Sequence, residues 1–278
     1  MLTRLLSAAV AIPIALAIIY WDGWMLFLFV TGLALIGLEE LYATYSTVEV
    51  HPPRGAAFVG AVLYLAAIEF ARRQSQSLLL HLALTVVVLG ALSGKVVRKQ
   101  RSRALPDLGA CLFGFVYVVV LSSYALRLRQ IARPYAGEGL LGKFGDQTAA
   151  LLLPLLCTWA TDSGAYFVGR AVGKVKLLPE LSPGKTVEGA LAGFVCSIVV
   201  GTLAAVALGL PGYHGLCLGT LLGVVAQLGD LAESLIKRNL GVKDLGTLFP
   251  GHGGVLDRLD SLLFVLPITY FYFNAFVV

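Results

Sequence analysis

Charge is scarce in this chain. Only 13% of its 278 residues are Asp, Glu, Lys or Arg, against 58% that are hydrophobic. A soluble domain carries roughly 25% charged residues, so a large water-soluble core is excluded. The mean hydropathy of +0.85 points the same way. Cysteine is sparse too. Cys111, Cys157, Cys196 and Cys217 lie far apart in apolar runs, and no C-x-x-C pair exists. Neither a zinc site nor a disulfide framework follows from that pattern, and small apolar space-fillers are the plainer reading. No low-complexity linker and no convincing internal repeat is present. The net charge of +5 comes from basic residues scattered between apolar segments. That scatter builds no nucleic-acid face, so nucleic acid is not an expected partner; it suits membrane lipids or anionic substrates.

What the chain does have is long apolar runs. A membrane-spanning helix needs about 20 mostly apolar residues. Nine windows qualify: Leu5–Trp21, Trp24–Tyr45, Gly55–Ala71, Ser77–Gly94, Leu105–Leu126, Thr148–Gly169, Val187–Leu210, Tyr213–Ile236 and Leu259–Val278. The expected fold is therefore all-α, a polytopic membrane bundle of about nine helices. Residues 1–145 read as a scaffold of spans suited to lipid entry or dimer contacts, and 146–278 as the catalytic region. Arg4 followed by an apolar run reads as a retained signal-anchor. Pro13, Pro154 and Pro267 fall inside spans, where membranes tolerate them. With the N-terminus placed in the cytoplasm, fifteen Lys and Arg fall on that side and six on the other. The positive-inside rule then makes the N-terminus and the long polar loops cytoplasmic.

One stretch breaks the apolar pattern. From Gly229 to Ser261, nine of 33 positions are charged: Asp230, Glu233, Lys237, Arg238, Lys243, Asp244, Asp257, Arg258 and Asp260. Ionisable groups at membrane depth are costly and mark function by default. Asp230, Glu233, Ser234 and Lys237 stand at i, i+3, i+4 and i+7, one stripe of a helix. Such a stripe can hold a metal and contact phosphate; the alternative is an internal salt-bridge face. Asp257, Asp260 and Ser261 repeat the spacing at the start of the last window, where an acid also suits a helix N-terminus. Mg²⁺ takes one or two carboxylates plus substrate phosphates, so Asp230 and Asp257, on different helices, are the expected ligands. The turn Pro250-Gly251-His252-Gly253-Gly254 allows backbone N–H groups to approach a phosphate. His252 is either a phosphate donor or an exposed side chain.

Two further elements precede it. Ser182-Pro183-Gly184-Lys185-Thr186-Val187-Glu188-Gly189 opens the seventh window. Lys185 and Thr186 can meet a phosphate at a helix N-terminus, or Thr186 can serve as a plain cap. The P-loop spacing is absent. Asp162 sits within the sixth window, one turn before Tyr166, with Arg170 beyond. It is either a site residue or a partner for a neighbouring helix. Glu39, Glu40 and Glu69 have no motif around them and read as helix-pairing or interfacial groups.

Together these residues resemble the CDP-diacylglycerol synthase (phosphatidate cytidylyltransferase) family. The family pattern S-x-x-K-R, then K-D, a P-G-H-G-G turn and D-R-x-D matches Ser234, Lys237, Arg238, Lys243, Asp244, Pro250 to Gly254, Asp257, Arg258 and Asp260. Upstream, Ser182–Gly189 and Asp162–Tyr166 fit as well, although Gly184 stands where the family commonly has a second lysine. The resemblance covers the chain from about Thr158 onward. It implies transfer of the cytidylyl group of CTP to phosphatidate, giving CDP-diacylglycerol and pyrophosphate. It implies catalytic roles for Asp230, Lys237, Asp257 and Asp260, with Mg²⁺ on Asp230 and Asp257. Substrate binding would fall to Asp162, Ser182, Lys185, Thr186, Glu188, Ser234, Arg238, Lys243, Asp244, His252, Gly253 and Arg258. A second cation, a homodimer and a bacterial inner-membrane location are further expectations. A CTP-dependent polyprenol kinase and a transporter are the alternatives; against transport, the polar residues cluster toward one membrane face.

Overall fold

The computed structural model describes residues 13–19, 23–71, 73–97, 103–131, 146–248 and 253–278. It is helical almost throughout. The elements are α1 (Trp24–Thr44), α2 (Arg54–Phe70), α3 (Arg73–Val97), α4 (Ala104–Gly114), α5 (Tyr124–Arg129), α6 (Asp146–Val172), α7 (Val187–Ala207), α8 (Gly212–Asn239) and α9 (Leu256–Phe276). Residues 13–19 are also helical. Among the described residues, seven helical segments are long and apolar enough to cross a membrane. The window at Gly55–Ala71 becomes α2, a helix of 17 residues. The first window lies largely outside the described residues.

Helix ends follow local chemistry. A short 3₁₀ turn over Tyr45–Val48 closes α1, and Glu49 then takes a left-handed conformation with φ 57°. His51, Pro52 and Pro53 follow, and the residue before a proline is driven out of the helical region, so the chain restarts only at Arg54. Between α4 and α5 the backbone widens into six π-helical residues, Phe115–Val120. Inside α6, Pro154 can donate no hydrogen bond; its carbonyl accepts one from the Thr158 hydroxyl at 2.8 Å. At the end of α8, Gly241 has φ +69°, the left-handed stop that glycine permits.

The chain divides into two compact units, Met1–Leu126 with Asn239–Arg258, and Arg127–Arg238 with Leu259–Val278. In the second, α6, α7 and α8 pack through small residues. A Cβ at Gly193 would sit 2.5 Å from the Thr161 carbonyl oxygen, and one at Gly219 would sit 2.6 Å from that of Ser197. Close backbone approach of this kind is how membrane helices associate without a hydrophobic driving force. In the first unit, the Tyr42 hydroxyl donates to the Cys111 carbonyl at 2.6 Å. A buried ion pair, Lys95 with Asp107, joins the end of α3 to the start of α4. Both of its members also hold the His51 backbone: Asp107 accepts from its N–H at 2.7 Å, and Lys95 donates to its carbonyl at 3.2 Å.

Among the described residues the strands form one short antiparallel hairpin, β1 (Lys176–Leu178) and β2 (Ser182–Thr186). The segment expected only to open the seventh span is thus a strand that runs into α7. Thr186 ends the strand and caps the helix, its hydroxyl accepting from Gly189 N–H at 3.2 Å. Glu188 accepts from Val175 N–H through both carboxylate oxygens, at 3.2 and 3.3 Å.

Candidate active site

In the second unit the acid-rich stripe is carried by the last turns of α8. Asp230 Oδ2 lies 2.6 Å from Lys185 Nζ, so the strand β2 brings its lysine to the helix. Both side chains keep partial access to solvent, at 26% for Lys185 and 32% for Asp230. One turn on, Glu233 is fully buried and pairs with Lys237 at 2.8 Å. The internal ion pair that the spacing allowed is therefore realised at Glu233 and Lys237. Ser234 is buried beside them. Arg238 is exposed, and its Nε donates to the Leu181 carbonyl at 3.2 Å, tying the end of α8 to the hairpin turn.

Gly229 sets the level of the site. A Cβ there would come within 2.8 Å of the Asp260 carbonyl oxygen and 3.0 Å of Ser261 Cα. Only glycine lets α8 and α9 touch at that depth, and Asp230 and Asp260, each next to that contact, are carried to one level of the helix pair. Asp260 Oδ1 accepts from Ser261 N–H at 2.6 Å. Asp162 is exposed on α6, and Tyr166 one turn later accepts from Arg170 at 2.9 Å.

In the first unit the loop after α8 returns to the start of α9. Lys243, Asp244 and Arg258 are exposed there. Asp257 is only 4% exposed, and its Oδ2 accepts three backbone N–H groups: Leu245 at 2.9 Å, Gly246 at 3.4 Å and Gly254 at 2.8 Å. Gly254 of the turn, together with Leu245 and Gly246, thus aims its N–H at a carboxylate of the protein itself. Gly253 has φ +79°, and a Cβ on it would meet Asp257 Oδ2 at 2.6 Å. Pro250, Gly251 and His252 lie outside the described residues, so the role expected of His252 does too.

One residue of this region has no signal in its local sequence. Glu40, from α1, accepts from Val255 N–H and Leu256 N–H at 2.9 Å each, one bond per carboxylate oxygen. It therefore sits on the N-terminus of α9, where a negative charge meets the unpaired N–H groups and the helix dipole. The sequence distance is 215 residues. The only hint available beforehand was the cost of placing a carboxylate in an apolar run.

Among the described residues no group of three or more His, Cys, Asp or Glu is gathered as a ready metal site. The acids that are present offer oxygen donors alone, the kind a hard divalent cation prefers.

Helices of membrane-spanning length, with paired acids and bases concentrated at the ends of a few of them, define an integral membrane enzyme whose polar site handles charged groups. The chain belongs to the Cytidylyltransferase family, whose model matches residues 2–276. It is similar over 97% of its length to the phosphatidate cytidylyltransferase of Synechocystis sp., with 33% identity and 95% of that protein covered. A phosphatidate cytidylyltransferase of Staphylococcus haemolyticus is 35% identical over 96% of this chain and 97% of its own. The namesake of Bacillus subtilis is 55% identical over 120 residues, 42% of this chain and 45% of its own.

Proposed function

We propose that this protein transfers the cytidylyl group of CTP to phosphatidate, releasing pyrophosphate and forming CDP-diacylglycerol in the membrane. The observation that carries this reading is the Lys185–Asp230 pair on the hairpin and α8. It is a partly exposed acid–base couple in a membrane enzyme matched along its whole length by relatives of that name.

An oxygen of the lipid phosphate attacks the α-phosphorus of CTP. A new P–O bond forms, the bond from the α-phosphorus to the α,β-bridging oxygen breaks, and pyrophosphate leaves with that electron pair. The nucleophile is already an anion, so no strong general base is required. Lys237, Arg238, Lys243 and Arg258 hold triphosphate or lipid phosphate oxygens, neutralising charge where it builds up. Lys185, released from Asp230, is the cation nearest to hand on the hairpin, with Ser182, Thr186 and Glu188 shaping the same element. Asp162, Ser234, Asp244, His252 and Gly253 complete the substrate-binding set, and Asp260 stands at the level of Asp230.

The donor set fits Mg²⁺, because Asp230 and Asp257 supply carboxylate oxygens and no nitrogen or sulfur. When bound, Mg²⁺ supplies Lewis-acid stabilisation of the phosphates and of the leaving pyrophosphate. Asp257 would hold the ion from the buried position in which its Oδ2 accepts three backbone N–H groups. A second cation and a homodimer belong to the same reading, as does a bacterial inner membrane with the site facing the cytoplasm, where CTP is found.

The test uses purified protein with phosphatidate and CTP labelled at either end. Label from α-labelled CTP is expected in the lipid, and label from γ-labelled CTP in pyrophosphate. Lipid labelled only from γ-labelled CTP would mean phosphoryl transfer, and no labelled lipid from either would mean that this chemistry is absent.

A further inference from the structure

Three side chains of the first unit form a stripe that the reaction scheme above does not use. Glu40, Thr44 and Thr47 stand at i, i+4 and i+7 along the end of α1 and its 3₁₀ extension, one face of the helix. Each reaches the loop between α8 and α9 at a different point. The Thr47 hydroxyl donates to the Leu240 carbonyl at 2.7 Å. The Thr44 hydroxyl donates to the Leu245 carbonyl at 3.1 Å. Glu40 takes the N–H groups of Val255 and Leu256. The loop is thus pinned at its start, its middle and its end by one helix from the far end of the sequence.

The fit at Glu40 is tight. A Cβ on Gly246 would lie 2.2 Å from Glu40 Oε1, and one on Gly254 would lie 2.4 Å from either carboxylate oxygen. Glycine at both positions is explained by the passage of this carboxylate between the two turns of the loop. On its other side the same loop is held by Asp257, through the N–H groups of Leu245, Gly246 and Gly254. Two carboxylates, Asp257 buried and Glu40 half-buried, therefore share the loop's inward N–H groups, and Asp257 is fixed by the loop that Glu40 fixes.

We infer that Glu40 is a positioning residue for the cytidylyl-transfer site: with Thr44 and Thr47 it cradles residues 240–248 and 253–256 and so sets the placement of Asp257 and Arg258. The inference rests on the proposed function only in naming the reaction; the cradle itself is a matter of geometry. It assigns the amino-terminal region a share in the active site that the motif stretch alone does not reveal.

The experiment compares the wild type with Glu40→Gln and Gly246→Ala in detergent or nanodiscs. Glutamine has the shape of glutamate but only one acceptor oxygen, so it turns an amide N–H₂ toward one of the two backbone N–H groups. Gly246→Ala leaves Glu40 intact and crowds its carboxylate from the loop side. Hydrogen exchange is measured along the whole chain, and kcat and KM are measured with CTP and phosphatidate. Both variants are expected to exchange faster in 240–256 while α6 and α7 keep wild-type protection. Both are expected to lose about tenfold to a hundredfold in kcat, the scale of a misplaced catalytic group. Thr44→Val removes one pin and should show the same pattern more weakly, which keeps the test open if Glu40→Gln does not fold. Unchanged exchange in 240–256, a kcat within about twofold of wild type, or loosening spread evenly over all helices would each overturn the inference. A wild type inactive on CTP and phosphatidate would defeat the functional reading alone, since the exchange pattern still tests the cradle.

Discussion

Asp230 and Asp257 look alike in the sequence, yet their settings differ. Asp230 is about one-third exposed and answers to a single lysine. Asp257 is buried and organises three backbone N–H groups. Removing its charge weakens hydrogen bonds to an ionised acceptor, each worth about 1.5–3 kcal/mol. Asp230→Asn is therefore expected to abolish turnover while keeping a thermal midpoint close to wild type. Asp257→Asn is expected to abolish turnover and to lower the midpoint as well. Activity assays paired with thermal unfolding in detergent check both; near-normal turnover in either variant, across a range of Mg²⁺ concentrations, would remove that residue from the catalytic set. The motif residues were legible one by one because their spacing follows the helical repeat. Their partners were not. That Asp230 meets Lys185, and that Glu233 takes Lys237 out of the exposed set, depends on strand β2 and on burial, which spacing does not encode.

Among the elements, the spans were legible because a run of some 20 apolar residues has few other uses. Seven of the expected windows return as helices of spanning length, and an eighth returns as α2. The hairpin was not legible. Strands of three and five residues are too short to show alternation, and Ser-Pro-Gly-Lys-Thr has little β-propensity of its own. The π-helical stretch in the fifth window was hidden for a similar reason, since its Phe-Val-Tyr-Val-Val-Val sequence is equally apolar in any helix. The α3–α4 junction makes a stability prediction. Lys95, one of the fifteen basic residues that the orientation argument sets on the cytoplasmic side, is buried against Asp107 and His51. Breaking a buried pair from one side costs about 3–5 kcal/mol. Asp107→Asn should unfold at markedly lower temperature than wild type. The double change Lys95→Met with Asp107→Leu, which leaves no charge behind, should lose much less. Equal losses in the two would show that the pair contributes shape and not charge.

For the whole molecule, the asymmetry of Lys and Arg predicts the orientation. Reporter fusions after Arg103 and Lys176 should be active only as cytoplasmic reporters, and a fusion after Val278 only as an external one. An external signal from Arg103 or Lys176 would invert the arrangement. The interleaved composition of the two compact units was not legible, because α8 and α9 each contribute to both and their apolar runs carry no mark of where one unit gives way to the other.

The hold of Glu40 on the start of α9 also has a consequence in time. Synthesis proceeds from the N-terminus, so α1 is made when the helix it will cap is still more than 200 residues from existence. Until then an acidic side chain stands in an apolar span without its destined donors, at the insertion cost that such groups carry. The chain is therefore finished, in the energetic sense, only when its last helix arrives. A nascent protein stalled before Val255 should present quality-control proteases with an unmated first half, however complete its other helices are.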